Sequence, residues 1–148
     1  MEILAVGYDD SPAAQGARRW AIQYAKDRDA EIRLVYVVSS RAEWELAAIQ
    51  VNTDPMRQEF EQRLRGVWSE PLREARVSYK TALLEGRPAE ELMHYARHEG
   101  ASLLVVGMTA RGTLAALLYG STTSHDLLRH ALRPVVAVPA DWGDTVVE

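Results

Sequence analysis

Short apolar runs alternate along this chain with stretches in which apolar residues recur every three or four positions. The runs at 3–6, 32–38, 77–84, 103–106 and 134–138 read as five strands. The run at 3–6 is continuous rather than alternating, as expected where both faces of a sheet are covered. Between them lie helical patterns with recognisable starts and stops. Ser11 can cap a helix whose first position is Pro12, where a missing N–H costs nothing. That helix is predicted over 12–26, with Ala13, Ala17, Trp20, Ala21 and Tyr24 along one stripe. Asp54-Pro55 opens a second helix carrying Met56, Phe60, Leu64 and Val67, which Pro71 should kink or end. Gly86 and Pro88 open a third, with Leu92, Met93 and Ala96 inward and Gly100 as its stop. A last helix ends near His130, and residues 39–53 read as a loop with a helical turn around Trp44. Strands alternating with helices are the mark of βαβ units and a parallel sheet.

The length of 148 residues fits one domain, a core over 1–139 followed by a loose tail over 140–148. With 47% hydrophobic and 26% charged residues the chain has the balance of a globular protein. There is no cysteine, so disulfides and thiolate metal sites are excluded. MEILAVGYDD lacks a basic leader, and no apolar stretch approaches the roughly 20 residues needed to span a bilayer. A cytoplasmic location without membrane contact is the expectation. The net charge of −4 argues against nucleic acid as a partner, since phosphate binding leaves a basic footprint.

Two segments directly after strands carry chemistry: Gly7-Tyr8-Asp9-Asp10-Ser11-Pro12, and Gly107-Met108-Thr109-Ala110-Arg111-Gly112-Thr113 closing with Gly120-Ser121-Thr122. Open α/β sheets bind ligands beyond the carboxyl ends of their strands, where the winding reverses. Glycines there let backbone amides approach phosphate oxygens, and helix N-termini favour negative charge. Ser121 and Thr122 add hydroxyls, and Arg111 a cation. Neither GxGxxG nor GxxxxGK[ST] is present, and a glycine after a strand is commonly only a turn residue.

The order and spacing of several motifs together resemble the universal stress protein family. Gly107-x2-Ala110-x9-Gly120-Ser121 is similar to its G-x2-G-x9-G-[ST] nucleotide loop. AVGYDDSPAA, LVYVV, LLEGRPAEELMHYA, LLVVG and LLRHALRPVVAVP resemble, in turn, its first strand and helix start, second strand, third helix start, fourth strand, and closing helix and strand. The resemblance covers nearly the whole chain and is least specific over 39–75. It implies a Rossmann-like α/β fold, an open parallel sheet in the order 3-2-1-4-5 with helices on both faces. It implies ATP or a related adenine nucleotide as ligand, with or without Mg²⁺. Asp9 would then contact the adenosine end, and Val37 would meet adenine through its backbone. Val106 and Gly107 would lie beside ribose and phosphates, and Gly120, Ser121 and Thr122 would bind phosphate. Ala110 stands where the family motif has its second glycine. The resemblance also implies a homodimer through the fifth strand, Pro134-Val135-Val136-Ala137-Val138.

Other chemistries find less support. A phosphoacceptor at Asp9-Asp10 would want an aspartate after strand three and a lysine after strand five. Glu85-Gly86 and Pro139-Ala140 stand there instead. His94 and His98 have metal-ligand spacing but lack the glutamate of HExxH and a third ligand. His125 and His130 suit the C-terminal half of a helix. Ser121 has no evident base beside it, so catalysis is not expected. The reading is a dimeric, adenine-nucleotide-binding regulator of the stress response. A ligand-free interaction protein of the same fold is the alternative, and a nucleotide hydrolase a third.

Overall fold

The computed structural model describes residues 1–39, 54–108 and 133–143. The expected turn around Trp44, the helix ending near His130 and most of the second glycine segment lie outside them. In chain order the described elements are β1 (Ile3–Gly7), α1 (Pro12–Arg28), β2 (Glu31–Ser39), α2 (Asp54–Arg65), a 3₁₀ turn (Val67–Ser69), α3 (Glu70–Glu74), β3 (Tyr79–Gly86), α4 (Pro88–His98), β4 (Leu103–Met108) and β5 (Val135–Pro139). The strands form one parallel sheet in the order β3-β2-β1-β4-β5, the expected topology. Winding therefore reverses between β1 and β4, whose residues Val6 and Val105 are in register.

Successive strand residues point to opposite faces, and this divides the core in two. Leu4, Val6, Ile32, Leu34 and Val105 pack with α1, Leu64 and Trp68 on one side. Ala5, Val35, Leu104 and Val106 pack with Ala89, Leu92 and Ala96 of α4 on the other. Ser11 caps α1 as expected, its hydroxyl accepting from the Ala14 amide at 3.1 Å. The helix runs past the expected Lys26 to Arg28 and ends at Asp29, whose φ of 54° is left-handed. Alanines and Gly16 let α1 lie close on the sheet; a Cβ on Gly16 would sit 2.7 Å from the Pro139 carbonyl oxygen.

The second helix departs from expectation. It ends at Arg65, not at Pro71, which instead lies in the first turn of α3. The break is Gly66, with φ −97° and ψ −104° and no room for a side chain: a Cβ there would lie 2.8 Å from the Gln62 carbonyl oxygen. Arg73 donates to the Arg65 and Gly66 carbonyls at 2.8 Å each, satisfying acceptors that a helix end orphans. The apolar stripe consequently ends on buried Trp68, while Val67 is 61% exposed. At the start of the segment expected as a tail, Arg19 donates to the carbonyls of Ala140 and Trp142 at 2.8 and 3.1 Å; residues 144–148 lie outside the described residues.

Candidate functional site

The carboxyl ends of β1, β2 and β4 form a common mouth. Beyond Gly7 the β1–β2 ladder continues for one more bond, from the Tyr8 amide to the Val35 carbonyl at 2.8 Å. The chain then turns out of the sheet. Asp9 and Asp10 are exposed, and Asp10 takes a left-handed φ of 63°. The Asp9 carboxylate accepts from the Ser11 amide at 3.0 Å, a side-chain turn that leads into the Ser11 cap.

Of the residues expected to contact the nucleotide, four are described. Asp9 stands at the mouth of β1. Val37 is half-buried in β2, in register with Leu84 of β3. Val106 is buried in β4, on the same sheet face as Val37. Gly107 follows it, paired with Val138. Ala110, Arg111, Gly120, Ser121 and Thr122 lie outside the described residues.

Gly107 has a reason of its own to be glycine. A Cβ there would stand 2.3 Å from the carbonyl carbon of Ala13 and 2.4 Å from its oxygen. The end of β4 thus passes directly against the first turn of α1, and the two loops singled out from sequence start side by side. Among the described residues of β1, β2 and β4, the exposed carboxylates at this mouth are those of Asp9 and Asp10 on the β1 side. Two exposed carboxylates disfavour an anion beside them and can accept hydrogen bonds from hydroxyl and amino groups.

Sequence reasoning missed what stands behind the β1 loop. The Tyr8 ring is 3% exposed, and its hydroxyl donates to Asp10 Oδ1 at 2.7 Å. The same hydroxyl accepts from Arg18 Nη1 at 2.7 Å, which also donates to the Trp68 carbonyl at 2.8 Å. Burial, and then the bond to Asp10, push the Tyr8 hydroxyl well above the usual phenol range, against the charge of Arg18. The phenol therefore stays a donor. Only one signal hinted at this: Arg18, a cation next to the alanine stripe of α1.

The remaining candidates do not converge. Glu85, at the end of β3, pairs with Arg57 of α2. His94 and His98 line an open groove of about 510 Å³ beside Leu84, Glu91, Tyr95 and Arg97. Among the described residues no three His, Cys, Asp or Glu side chains come together as metal ligands. Nor is any described helix long and apolar enough to cross a membrane.

Comparison with known proteins bears on this geometry. A universal stress protein of Methanocaldococcus jannaschii is 29% identical over 143 residues, covering 91% of this chain and 80% of that protein. One of Mycobacterium tuberculosis is 33% identical over 141 residues, 91% of this chain but 46% of the relative, so this chain spans about half its length. The crystal structure of a universal stress protein family member from Burkholderia pseudomallei superposes with a TM-score of 0.68 at 28% identity, covering 93% and 96% of the two chains. A universal stress protein in complex with cAMP gives 0.64 at 21%, over 94% and 97%. One from Arabidopsis thaliana with AMP bound gives 0.66 at 19%, over 100% and 98%. The family model described as "Universal stress protein family" matches residues 1–139, and the chain belongs to that family.

Proposed function

We propose that this chain binds an adenine nucleotide, ATP or a close relative, across the carboxyl ends of β1 and β4. In this reading it acts as a homodimeric, cytoplasmic regulator of the stress response and not as a catalyst. One observation carries it: Asp9 stands exposed at the winding reversal, next to the contact between Gly107 and the first turn of α1. Exposed carboxylate at the β1 side favours the nucleoside end there and directs phosphate toward the β4 side. Gly107, Ala110, Arg111, Gly120, Ser121 and Thr122 would hold the phosphates, with Mg²⁺ as counter-ion where ATP is the ligand. Val37 and Val106 would flank the adenosine. The cAMP and AMP bound in two solved relatives support a ligand of this class.

Dimer formation is supported by the sheet order, which leaves β5 at an edge with Ala137 exposed and Val135 and Val136 half-buried. Such an edge offers open hydrogen-bonding groups to a second copy. Val136→Lys is expected to give monomer by sedimentation where the wild type gives dimer. The test of the ligand is titration calorimetry with ATP, ADP, AMP and cyclic AMP, together with a mass spectrum of whatever small molecule leaves the purified protein on denaturation. Binding with a trace at most of sustained phosphate release is the expected result. Ala110 favours a second reading, a ligand-free interaction protein, and absence of binding at millimolar nucleotide would establish it.

A further inference from the structure

We propose that Tyr8, held by Arg18, is a positioning residue that locks the β1 loop in its ligand-receiving shape. The proposal rests on the nucleotide-binding reading above, since Asp9 is the residue positioned. Asp10 carries a left-handed φ of 63°, a conformation in which an L residue with a side chain is strained and glycine is not. Something must compensate. Asp10 is gripped at both ends: its carboxylate accepts from the Tyr8 hydroxyl at 2.7 Å, and its carbonyl accepts from Gln15 Nε2 at 3.3 Å.

The grip is anchored in the core. Tyr8 is buried, its ring 5.4 Å from that of Trp68 and 4.8 Å from the Arg18 guanidinium carbon. Arg18 bridges Tyr8 to the Trp68 carbonyl, and that carbonyl sits in the turn which Arg73 and Ser69 brace. A rigid chain of contacts therefore runs from the α2–α3 junction through Arg18 and Tyr8 to Asp10. Asp10 is followed by Ser11, whose amide binds Asp9. With Tyr8 in place the loop holds Asp9 at the mouth; without it, Asp10 can relax toward negative φ and carry Asp9 away.

Glycine at position 10 would need no such lock, and this makes the proposal separable from a general role of Tyr8 in packing. Tyr8→Phe, which keeps the ring, is expected to weaken nucleotide binding about threefold to tenfold, the worth of one hydrogen bond. In an Asp10→Gly background the same substitution should leave affinity unchanged. Arg18→Met serves as the second entry into the cycle, with the same dependence on position 10, should Tyr8→Phe fold poorly. Equal losses in both backgrounds, or no loss in either, overturn the proposal. Hydrogen exchange of the Ser11 amide tests the lock without any ligand. Tyr8→Phe should accelerate it with Asp10 present and not with Asp10→Gly. Should the wild type bind no nucleotide, the functional reading fails while this exchange still decides the lock: acceleration upholds it, and no change overturns it.

Discussion

The amino-terminal rim of the sheet and the mouth of β1 hold their acidic residues differently. At the amino-terminal rim Glu2, Glu31 and Glu99 are bonded across to other elements. Glu2 accepts from Tyr24 at 3.0 Å and from Ser102, tying the chain start to α1 and to the start of β4. Glu31 and Glu99 both pair with Arg33, itself only 8% exposed, which joins β2 to the end of α4. At the opposite mouth Asp9 and Asp10 are exposed, and among the described residues neither enters an ion pair. Their bonds come from neutral donors, the Ser11 amide and the Tyr8 hydroxyl. At the rim these carboxylates hold elements together, as Glu85 does with Arg57 at the end of β3, whereas among the described residues the carboxylates of Asp9 and Asp10 bond only within their own loop. Substitutions at the rim should therefore change stability, and those at the mouth should divide between packing and binding.

The largest effect is expected at the mouth, at Gly107. Gly107→Val would drive atoms into the Ala13 backbone, which cannot swing aside as a side chain can. A loss of about 3 kcal/mol or more is expected from urea unfolding, or no soluble protein at all. A stable Gly107→Val that merely fails to bind nucleotide would show that the glycine serves the ligand and not the packing.

Next in size comes the rim. Arg33→Ala leaves two carboxylates facing each other in a largely buried setting and is expected to cost about 2–4 kcal/mol, discounted because Glu99 keeps some contact with water. The rim should also be acid-sensitive. Burial pushes the Glu31 carboxyl up, but bonds from Arg33 and Ser78 and the charges of Arg33 and Lys80 outweigh it, holding the group below its ordinary 4.5. The Ser102 bond, opposed by burial and aided by Tyr24 and Arg28, lowers Glu2 likewise. A depressed folded pKa means stability that is fully present above the unfolded value of 4.5 and is lost as pH falls through the folded one. The urea midpoint should thus fall below pH 4.5, and Glu31→Gln should flatten part of that fall. An unchanged acid slope would mean that the rim pairing contributes little.

Asp9→Asn separates binding from stability at the mouth. The amide oxygen can still accept from Ser11, so stability should move by less than about 1 kcal/mol. Nucleotide affinity should fall about tenfold or more, the difference between a charged and a neutral acceptor. Retention of wild-type affinity would remove Asp9 from the nucleoside contacts.

The inner strands β1 and β4 were the most legible, because they are covered on both faces and show as apolar runs, whereas the edge strand β3 carries Lys80 and Thr81 and is only half-buried. The end of α2 was not legible. Gly66 looks like one tolerated glycine in a helical pattern, and only the approach to Gln62 shows why the chain must break there. For a related reason the sequence placed Asp9, Val37, Val106 and Gly107 at or near the carboxyl ends of their strands, where the structure has them. Yet the reason for Gly107 is a contact with Ala13, distant in sequence, that no local pattern encodes. Tyr8, Arg18 and Trp68 were invisible as a group. Trp68 lies fifty residues beyond Arg18, and only the packing of α1 against the α2–α3 junction brings the three together.

The smallest expected effect tests the comparison at its finest grain, because α1 is bounded by two left-handed aspartates. Asp29 closes the helix with φ 54°, exposed, and its side chain makes no hydrogen bond to a described residue. A negative charge also sits badly at a helix C-terminus. Asp29→Gly should relieve both, and after the larger unfolded-state entropy of glycine a gain of about 0.5–1 kcal/mol remains. Asp10→Gly should relieve the same backbone strain, but it removes the acceptor of the buried Tyr8 hydroxyl, worth about 1 kcal/mol. The two terms nearly cancel, so its stability should stay within about 0.5 kcal/mol of wild type. Paired urea titrations of the two variants measure the difference directly. Should Asp10→Gly stabilise as much as Asp29→Gly, the Tyr8 bond contributes nothing and the mouth is no more organised than an ordinary helix end.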